Sequence, residues 1–298
     1  MSKRRIIGIL AAILVVLIGY RVVAVWTIQY GECKPKPVDP NQRLLTRNER
    51  GQLVSFPERS GFPPQTKPLL VMTYNIAGHN QLYDTRHLLK IAEVINEVKP
   101  DIVGLQEVHR RTWQTRFHDQ AIELQSLTGL HLYFGPSFSE AGGGFGNAIL
   151  TRGEFVYAEV HALPSFGEPR SMIESLIRID DTMINVFVTH LTSWGRLKRA
   201  SRDEELVCLA KQVRTSRYPY LLLGDFNAPP TSPEIRHFRQ LNPAQICGEE
   251  IGVSHPLMNE RIDYIWADYG WDVRSARVLP VGPSDHYPVI AELFWNRS

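Results

Sequence analysis

Several apolar runs in this chain carry polar side chains at their ends that a hydrophobic sheet does not tolerate singly. "LLVMTYNI" reaches Asn75, "DIVGLQEV" carries Glu107, "MINVFVTHL" delivers His190, and "YPYLLLGDFN" ends on Asp225 and Asn227. "RIDYIWA" sets Asp263 in a strand, and "PSDHYPV" places Asp285 and His286 just ahead of another. Continuous apolar runs of this length read as strands covered on both faces. A buried carboxylate is costly unless it is paired or holds a cation. The recurrence of such groups at strand ends therefore predicts one polar cleft along the sheet edges, where a rigid scaffold can hold reacting groups in place.

The intervening segments define the class of fold. Leu88, Ala92, Ile95 and Val98 recur at three- and four-residue steps and predict an amphipathic helix after the first strand. A second helix is expected near residues 118–128. Ser201 is the expected cap of a third, with Leu206, Leu209, Ala210 and Val213 on one face. Ser232 and Pro233 mark the start of a fourth. "HLYFG", "AILTR", "FVYAEVHALP" and "SMIESLIRI" read as short strands, the last turning through "DDT" into the His190 strand. Helices interleaved with hairpin-like strands predict an α/β fold of two packed sheets with helices outside. Hydrophobic residues at 43% and charged residues at 21% are ordinary for a globular domain with a sizeable core. No internal repeat is visible. "AGGGFGN" lacks the lysine and hydroxyl of a phosphate-binding loop and reads instead as a hairpin tip near the cleft.

The chain opens with basic residues 1–5, "MSKRR", followed by a nearly unbroken apolar run over residues 6–26. That run matches the thickness of a bilayer's hydrocarbon, and Arg21 and Trp26 suit interfacial positions. An uncleaved transmembrane signal anchor is expected, with a cleaved signal peptide as the rival. Positive charges on the two flanks nearly balance, and long domains translocate largely regardless of them. The folded domain, residues 68–298, is therefore expected on the non-cytoplasmic side, periplasmic or extracellular, as a monomer. Residues 27–67 are rich in proline and read as a linker, with a coil span of roughly 35 Å. Cys33, Cys208 and Cys247 are odd in number and share no spacing, which argues against both a disulfide framework and a zinc site. A net charge of +2 neither demands nor excludes a polyanionic substrate.

The polar set has a chemical logic. A hard divalent cation such as Mg2+ takes oxygen ligands and typically uses one or two carboxylates. Glu107 fits as such a ligand, with Asn75 beside it and Asp285 as a further contributor. Asp225 is suited to orienting or deprotonating a water, and Asn227 to donating to a phosphoryl oxygen. A histidine beside a carboxylate has its cationic form favoured. The pairs Asp263–His286 and Glu168–His190 are thus two candidate positive donors for charge developing on a phosphodiester. "HRRTWQTRFH" and "WGRLKRASR" set arginine, lysine and tryptophan beside these motifs, which makes Arg110, Arg111, Trp194, Arg196, Lys198 and Arg199 candidate substrate contacts. Each residue also has a plainer reading. Asp225 and Asn227 suit a strand-end turn, His190 a core position, Glu107 a helix cap, Asp263 a pairing with Arg261, and charge runs a solvated face.

Taken in chain order, "TYNIAG", "LQEV", "GNAILTR", "EPR", "VTHL", "GDFNAPP", "RIDYIW" and "SDHYPV" resemble the endonuclease/exonuclease/phosphatase superfamily with the DNase-I-like fold. The resemblance covers about residues 68–298. It implies a four-layer α/β/β/α sandwich and Mg2+- or Mn2+-dependent hydrolysis of a phosphate ester. It also implies an active site of Asn75, Glu107, His190, Asp225, Asn227, Asp263, Asp285 and His286. "GEPR" only approximates the motif that supplies the partner of the first histidine, so Glu168 is carried over as a supporting residue. "GNAILTR" and "GDFNAPPTSPEI" look more like small bacterial hydrolases and the domain of GPI-lipid-remodelling proteins than like abasic-site repair enzymes. Nucleic acid, phospholipid headgroups and small phosphate esters are the substrates this leaves open. A non-catalytic membrane-bound adaptor is the reading from a different class, for which loss of Asp225, His286 or Glu107 would have been the signature.

Overall fold

Two six-stranded sheets carry the structure, a computed structural model that describes residues 67–140, 142–193, 198–242 and 244–295. Cys33 and three short strands, Gln29–Tyr30, Leu45–Arg47 and Leu53–Ser55, are also described. The first sheet contains β1 (Leu69–Asn75), β2 (Ile102–Arg110), β3 (His131–Glu140) and β4 (Gly143–Thr151). The second contains β5 (Glu154–Leu163), β6 (Arg170–Ile179), β7 (Thr182–His190), β8 (Tyr220–Asp225), β9 (Ala244–Ile246) and β10 (Asp263–Asp268). The chain then returns to complete the first sheet with β11 (Trp271–Val278) and β12 (Val289–Trp295).

Strand order is β11-β12-β1-β2-β4-β3 in one sheet and β9-β10-β8-β7-β6-β5 in the other. Each has a central parallel pair, β1 with β2 and β7 with β8, flanked on both sides by antiparallel strands. Parallel neighbours require a crossover. Helices α1 (His87–Val98) and α3 (Arg199–Val213) supply it, and α2 (Gln120–Thr128) and α4 (Pro233–Leu241) complete the outer layers. The two sheets thus share one pairing layout, a likeness of halves without a visible sequence repeat.

Alternation along the strands builds three apolar layers. Val71, Ile102, Val186, Val188, Leu221, Leu223 and Ile265 meet between the sheets. Their neighbours Met72, Tyr74, Val103 and Leu105 pack under α1 and α2. Phe187, Leu222, Tyr264 and Trp266 pack under α3 and α4. This is the expected α/β/β/α sandwich of two mixed sheets. Helix α1 buries Leu88, Ala92 and Ile95 and stops where Lys99 turns left-handed (φ 54°) ahead of Pro100. Ser232 caps α4 by accepting from Ile235 N at 3.3 Å, with Pro233 at its first position.

Ser201 does not cap α3. Lys198 holds that position, and Ser201 Oγ lies inside the helix, accepting from Phe166 N (2.9 Å) and donating to Glu205 (3.0 Å). Cys33 and Cys208 form a disulfide across 175 residues, with Cα atoms 5.5 Å apart, while Cys247 is free and buried. Parity says nothing about pairing when one cysteine serves simply as a small core residue. The segment read as a free linker is therefore held to the domain near its start, since Gln29–Tyr30 also pair with Ser165–Phe166. No helix among the described residues is long and apolar enough to cross a membrane. The basic residues 1–5 and the expected anchor over residues 6–26 lie outside the described residues.

Candidate active site

Register between strands explains the polar end of "YPYLLLGDFN". His190, Asp225 and Asp263 stand directly opposite one another across three adjacent strands, β7, β8 and β10. All three share the strand face of Val188, Leu223 and Ile265 and so point between the sheets. Gly224 precedes this row because a Cβ there would collide with the Thr189 backbone carbonyl on β7.

The other sheet answers from its own parallel pair. Asn75 ends β1 on the inter-sheet face. Strict alternation would turn Glu107 toward the helices, but β2 is bulged between Leu105 and Val108 and Glu107 adopts φ 58°. The bulge re-aims the carboxylate into the cleft, a recurrent use of such irregularities. Asn75 Nδ2 then bridges the sheets, donating to Glu107 Oε1 (3.2 Å) and Asp225 Oδ2 (3.1 Å). The carboxyl ends of both central pairs therefore meet, the position where open α/β sheets bind ligands.

His286 arrives from the loop before β12. Its Nδ1 lies 2.8 Å from Asp263 Oδ2 and its Nε2 3.7 Å from Asp225 Oδ2. Ser284 fixes that loop by donating to the Asn75 carbonyl (2.7 Å) and accepting from His286 N (3.1 Å). His190 Nε2 approaches the same Asp225 oxygen at 3.4 Å. Asp225 Oδ1 accepts from Asn227 N at 2.9 Å. Asn227, left-handed at φ 51°, donates one amide hydrogen to the Leu191 carbonyl (3.0 Å) and retains another.

Burial makes the electrostatics steep. Asp225 and Asp263 are 1% and 0% exposed, and like charges directly opposite are unfavourable. Burial and then the Asp263 carboxylate push the Asp225 carboxyl up, against His286 and the Asn227 and Asn75 hydrogen bonds. Burial opposes charge on His286, yet Asp263 and Asp225 outweigh it and raise its pKa to about 10. Burial also works to raise Glu107, but His79, His190, Asn75 and His286 together hold it well below the usual carboxylate range.

Donor chemistry fits a hard divalent cation. Glu107 is ionised and its side chain 24% exposed, so one face meets the cleft. Asp225 and Asp263 bring carboxylate oxygens within 4.8 Å of one another, and Asp263 Oδ1 is buried with no hydrogen-bond partner among the described residues. Carboxylate and amide oxygens are what Mg2+ or Mn2+ selects.

Other expected residues fall differently. Glu168 is not the partner of His190. It is solvent-facing and pairs with Arg170 (3.0 Å). The group beside His190 is Arg170 itself, and burial followed by that guanidinium drives the imidazole pKa well down, so His190 is neutral where a cation was expected. Asp285 sits at the rim, 4.0 Å from His255 Nε2. Arg110 is locked by three hydrogen bonds of 2.7–2.9 Å to Asp119, and Arg111 is 73% exposed beside the same carboxylate. Lys198 donates to Ser193 (2.8 Å), and Arg199 lies 3.3 Å from Glu234. Trp194 and Arg196 lie outside the described residues. Arg261, weighed as a partner for Asp263, instead binds the carbonyls of Gly248 and Glu249.

Three neighbours carried no signal read from the sequence. His79 Nδ1 lies 3.5 Å from Glu107 Oε2, and the His255 ring packs edge-on to His286 at 4.5 Å. Arg170, within the "EPR" stretch, is 6% exposed and its Nε has no hydrogen-bond partner among the described residues.

Paired mixed sheets with acids, amides and imidazoles converging at their carboxyl edges define the class of sandwich hydrolases. The chain belongs to the endonuclease/exonuclease/phosphatase family, matching it over residues 72–286. No curated protein matches. Among solved structures it resembles an endonuclease/exonuclease/phosphatase from Beutenbergia cavernae (TM-score 0.68, 24% identity, 77% of this chain and 72% of that one). It also resembles the human nocturnin catalytic domain with bound sulfate (0.63, 23%, 77% and 94%). A mannosyl-6-phosphatase from Bacteroides thetaiotaomicron is similar too (0.63, 21%, 76% and 99%). At these identities the structural likeness speaks for the fold.

Proposed function

We propose that this protein is a membrane-anchored, divalent-metal-dependent hydrolase of phosphodiester bonds. The observation that carries the reading is Asp225 Oδ2, approached by two imidazoles and the Asn75 amide at the point where both sheets end. A carboxylate so held is positioned to align a water and take its proton. Glu107, with Asp285 at the rim, would hold Mg2+ or Mn2+, which when bound neutralises phosphate charge and polarises the ester. Asn75, expected as a further ligand, turns its Oδ1 to Ala77 N (3.0 Å) and steadies Glu107 and Asp225 through Nδ2. His286, kept cationic by Asp263, stabilises charge developing on the phosphoryl oxygens. Neutral His190 donates a hydrogen bond at the same centre, and the Arg170 guanidinium supplies the positive charge beside it. The free amide hydrogen of Asn227 completes the donors. Support for an anionic tetrahedral ligand comes from the sulfate bound in one structural neighbour and the phosphatase name of another. The latter name also makes a phosphomonoester the second substrate class to test.

For the anchor, the support is the apolar stretch over residues 6–26, and for its orientation the Cys33–Cys208 disulfide. Such bonds persist in oxidising compartments, consistent with a domain outside the cytoplasm.

Hydrolysis of bis(p-nitrophenyl) phosphate with Mg2+ or Mn2+, against a chelator and against Asp225→Ala, tests the chemistry. A panel of single-stranded DNA, duplex DNA, RNA, sphingomyelin, phosphatidylinositol and a sugar phosphate then ranks substrates. Equal inactivity of wild type and variant across metals and panel would favour a non-catalytic adaptor.

A further inference from the structure

A second group of ligand-bearing side chains lies on the opposite face of sheet two. Glu159 and His161, two residues apart on β5, share a face, and Glu174 on β6 stands directly opposite Glu159. Glu174 is also opposite Phe187 on β7, three residues before His190, and so faces the helix layer at a distance of about 10 Å along the strand from the cleft. Ligand atoms of the three lie within 4.8 Å of one another. His161 Nε2 is 2.8 Å from Glu174 Oε2 and 3.5 Å from Glu159 Oε1. Around a tetrahedral ion with bonds near 2.1 Å, donor atoms stand about 3.4 Å apart, so the His161–Glu159 spacing of 3.5 Å already fits and the 2.8 Å His161–Glu174 contact must open by roughly 0.6 Å.

The surrounding groups point the same way. Gln212 on α3 is 3% exposed, its amide lies 3.2 Å from His161 Nδ1, and its Oε1 is buried with no hydrogen-bond partner among the described residues. Turning that amide over gives Oε1 a donor in His161 Nδ1–H and leaves the Nε2 lone pair facing the two carboxylates. This is the outer arrangement that metal-bound imidazoles characteristically have. Tyr157 hydroxyl donates to Glu174 Oε1 at 2.7 Å and fixes the carboxylate while leaving Oε2 on the imidazole side.

We propose that Glu159, His161 and Glu174 form a second divalent-cation site, suited to Zn2+ and structural in role, separate from the strand-end cleft. One imidazole and two carboxylates are within the ordinary ligand set of that ion, with the fourth position left to water. The ion would fasten edge strand β5 to β6 beneath the carboxyl end of α3.

The test is metal retention by the full, untagged chain in detergent, in a Glu107→Gln/Asp225→Asn background that disables the cleft. After equilibration with buffered Zn2+ and desalting, mass spectrometry should find about one ion per chain. Adding Glu159→Gln or His161→Asn should weaken binding roughly tenfold or more, and Gln212→Leu by about tenfold. Co2+ loaded in place of Zn2+ should give visible absorption bands that His161→Asn abolishes. Circular dichroism checks folding. Glu159 is one-third exposed, so its variant remains informative if the His161 variant does not fold. No retained Zn2+ in the parent background, or undiminished retention in Glu159→Gln, overturns the proposal.

Discussion

Single side chains in the cleft differ sharply in what their removal should do. Asp225→Asn keeps the shape and hydrogen-bonding of the strand end but removes the base. Its expected effect is a fall in kcat of about 10²–10⁴-fold with a small change in KM, read from steady-state kinetics. Arg170 and Glu168 separate the observed arrangement from the expected one. Arg170→Gln should cut kcat/KM by about tenfold or more, because a buried guanidinium beside His190 is lost. Glu168→Gln, which alters an exposed partner, should stay within about threefold. If Glu168→Gln proved the more damaging, His190 would depend on that carboxylate after all. Away from the cleft, Asp119 caps α2 and grips Arg110, and although burial opposes it, the Arg110 hydrogen bonds leave its carboxyl below the usual range. A depressed carboxyl contributes stability above its unfolded pKa and loses it as pH falls through the folded one. Asp119→Asn retains the cap but not the charge. It should cost about 1 kcal/mol at pH 7, with the difference from wild type closing as pH falls below the ordinary aspartate pKa of about 4, in urea titrations.

Among elements, the bulge in β2 and the disulfide do work that neither strand nor helix propensity reports. Glu107 reaches the cleft only because the bulge breaks alternation, a decision made by pairing with β4. The Cys33–Cys208 bond draws residues ahead of the domain onto helix α3. Non-reducing peptide mapping should recover the two cysteines in one linked fragment. Cys208→Ser should lower the melting temperature, since closing a loop of 175 residues is worth up to about 5 kcal/mol by chain entropy and commonly 2–4 in practice. Finding both thiols free in protein prepared without reductant would remove the support this bond lends to an oxidising compartment.

On the scale of the molecule, the catalytic proposal is a statement about two sheets meeting. Chelation should abolish hydrolysis, and Mg2+ or Mn2+ should restore it, while circular dichroism stays near that of the loaded protein because the cleft is built from strand ends already fixed by the core. Protease accessibility in sealed vesicles should place residues 68–298 opposite the cytoplasm. Protection consistent with the cytoplasmic face would end that part of the proposal.

Local chemistry was legible in the sequence. Continuous apolar runs made the strands, Ser232 with Pro233 made a helix start, and acids or imidazoles at strand ends announced a cleft, because each is a property of a few adjacent residues. Only the tertiary structure decided that Asp225 faces Asp263 across a ladder, that His190 is buried with Arg170 rather than Glu168 acting on it, and that Cys33 finds Cys208. Those outcomes depend on register between strands distant in the chain and on which face a bulge exposes. Such quantities are fixed by how two sheets pack, and no stretch of residues carries them alone.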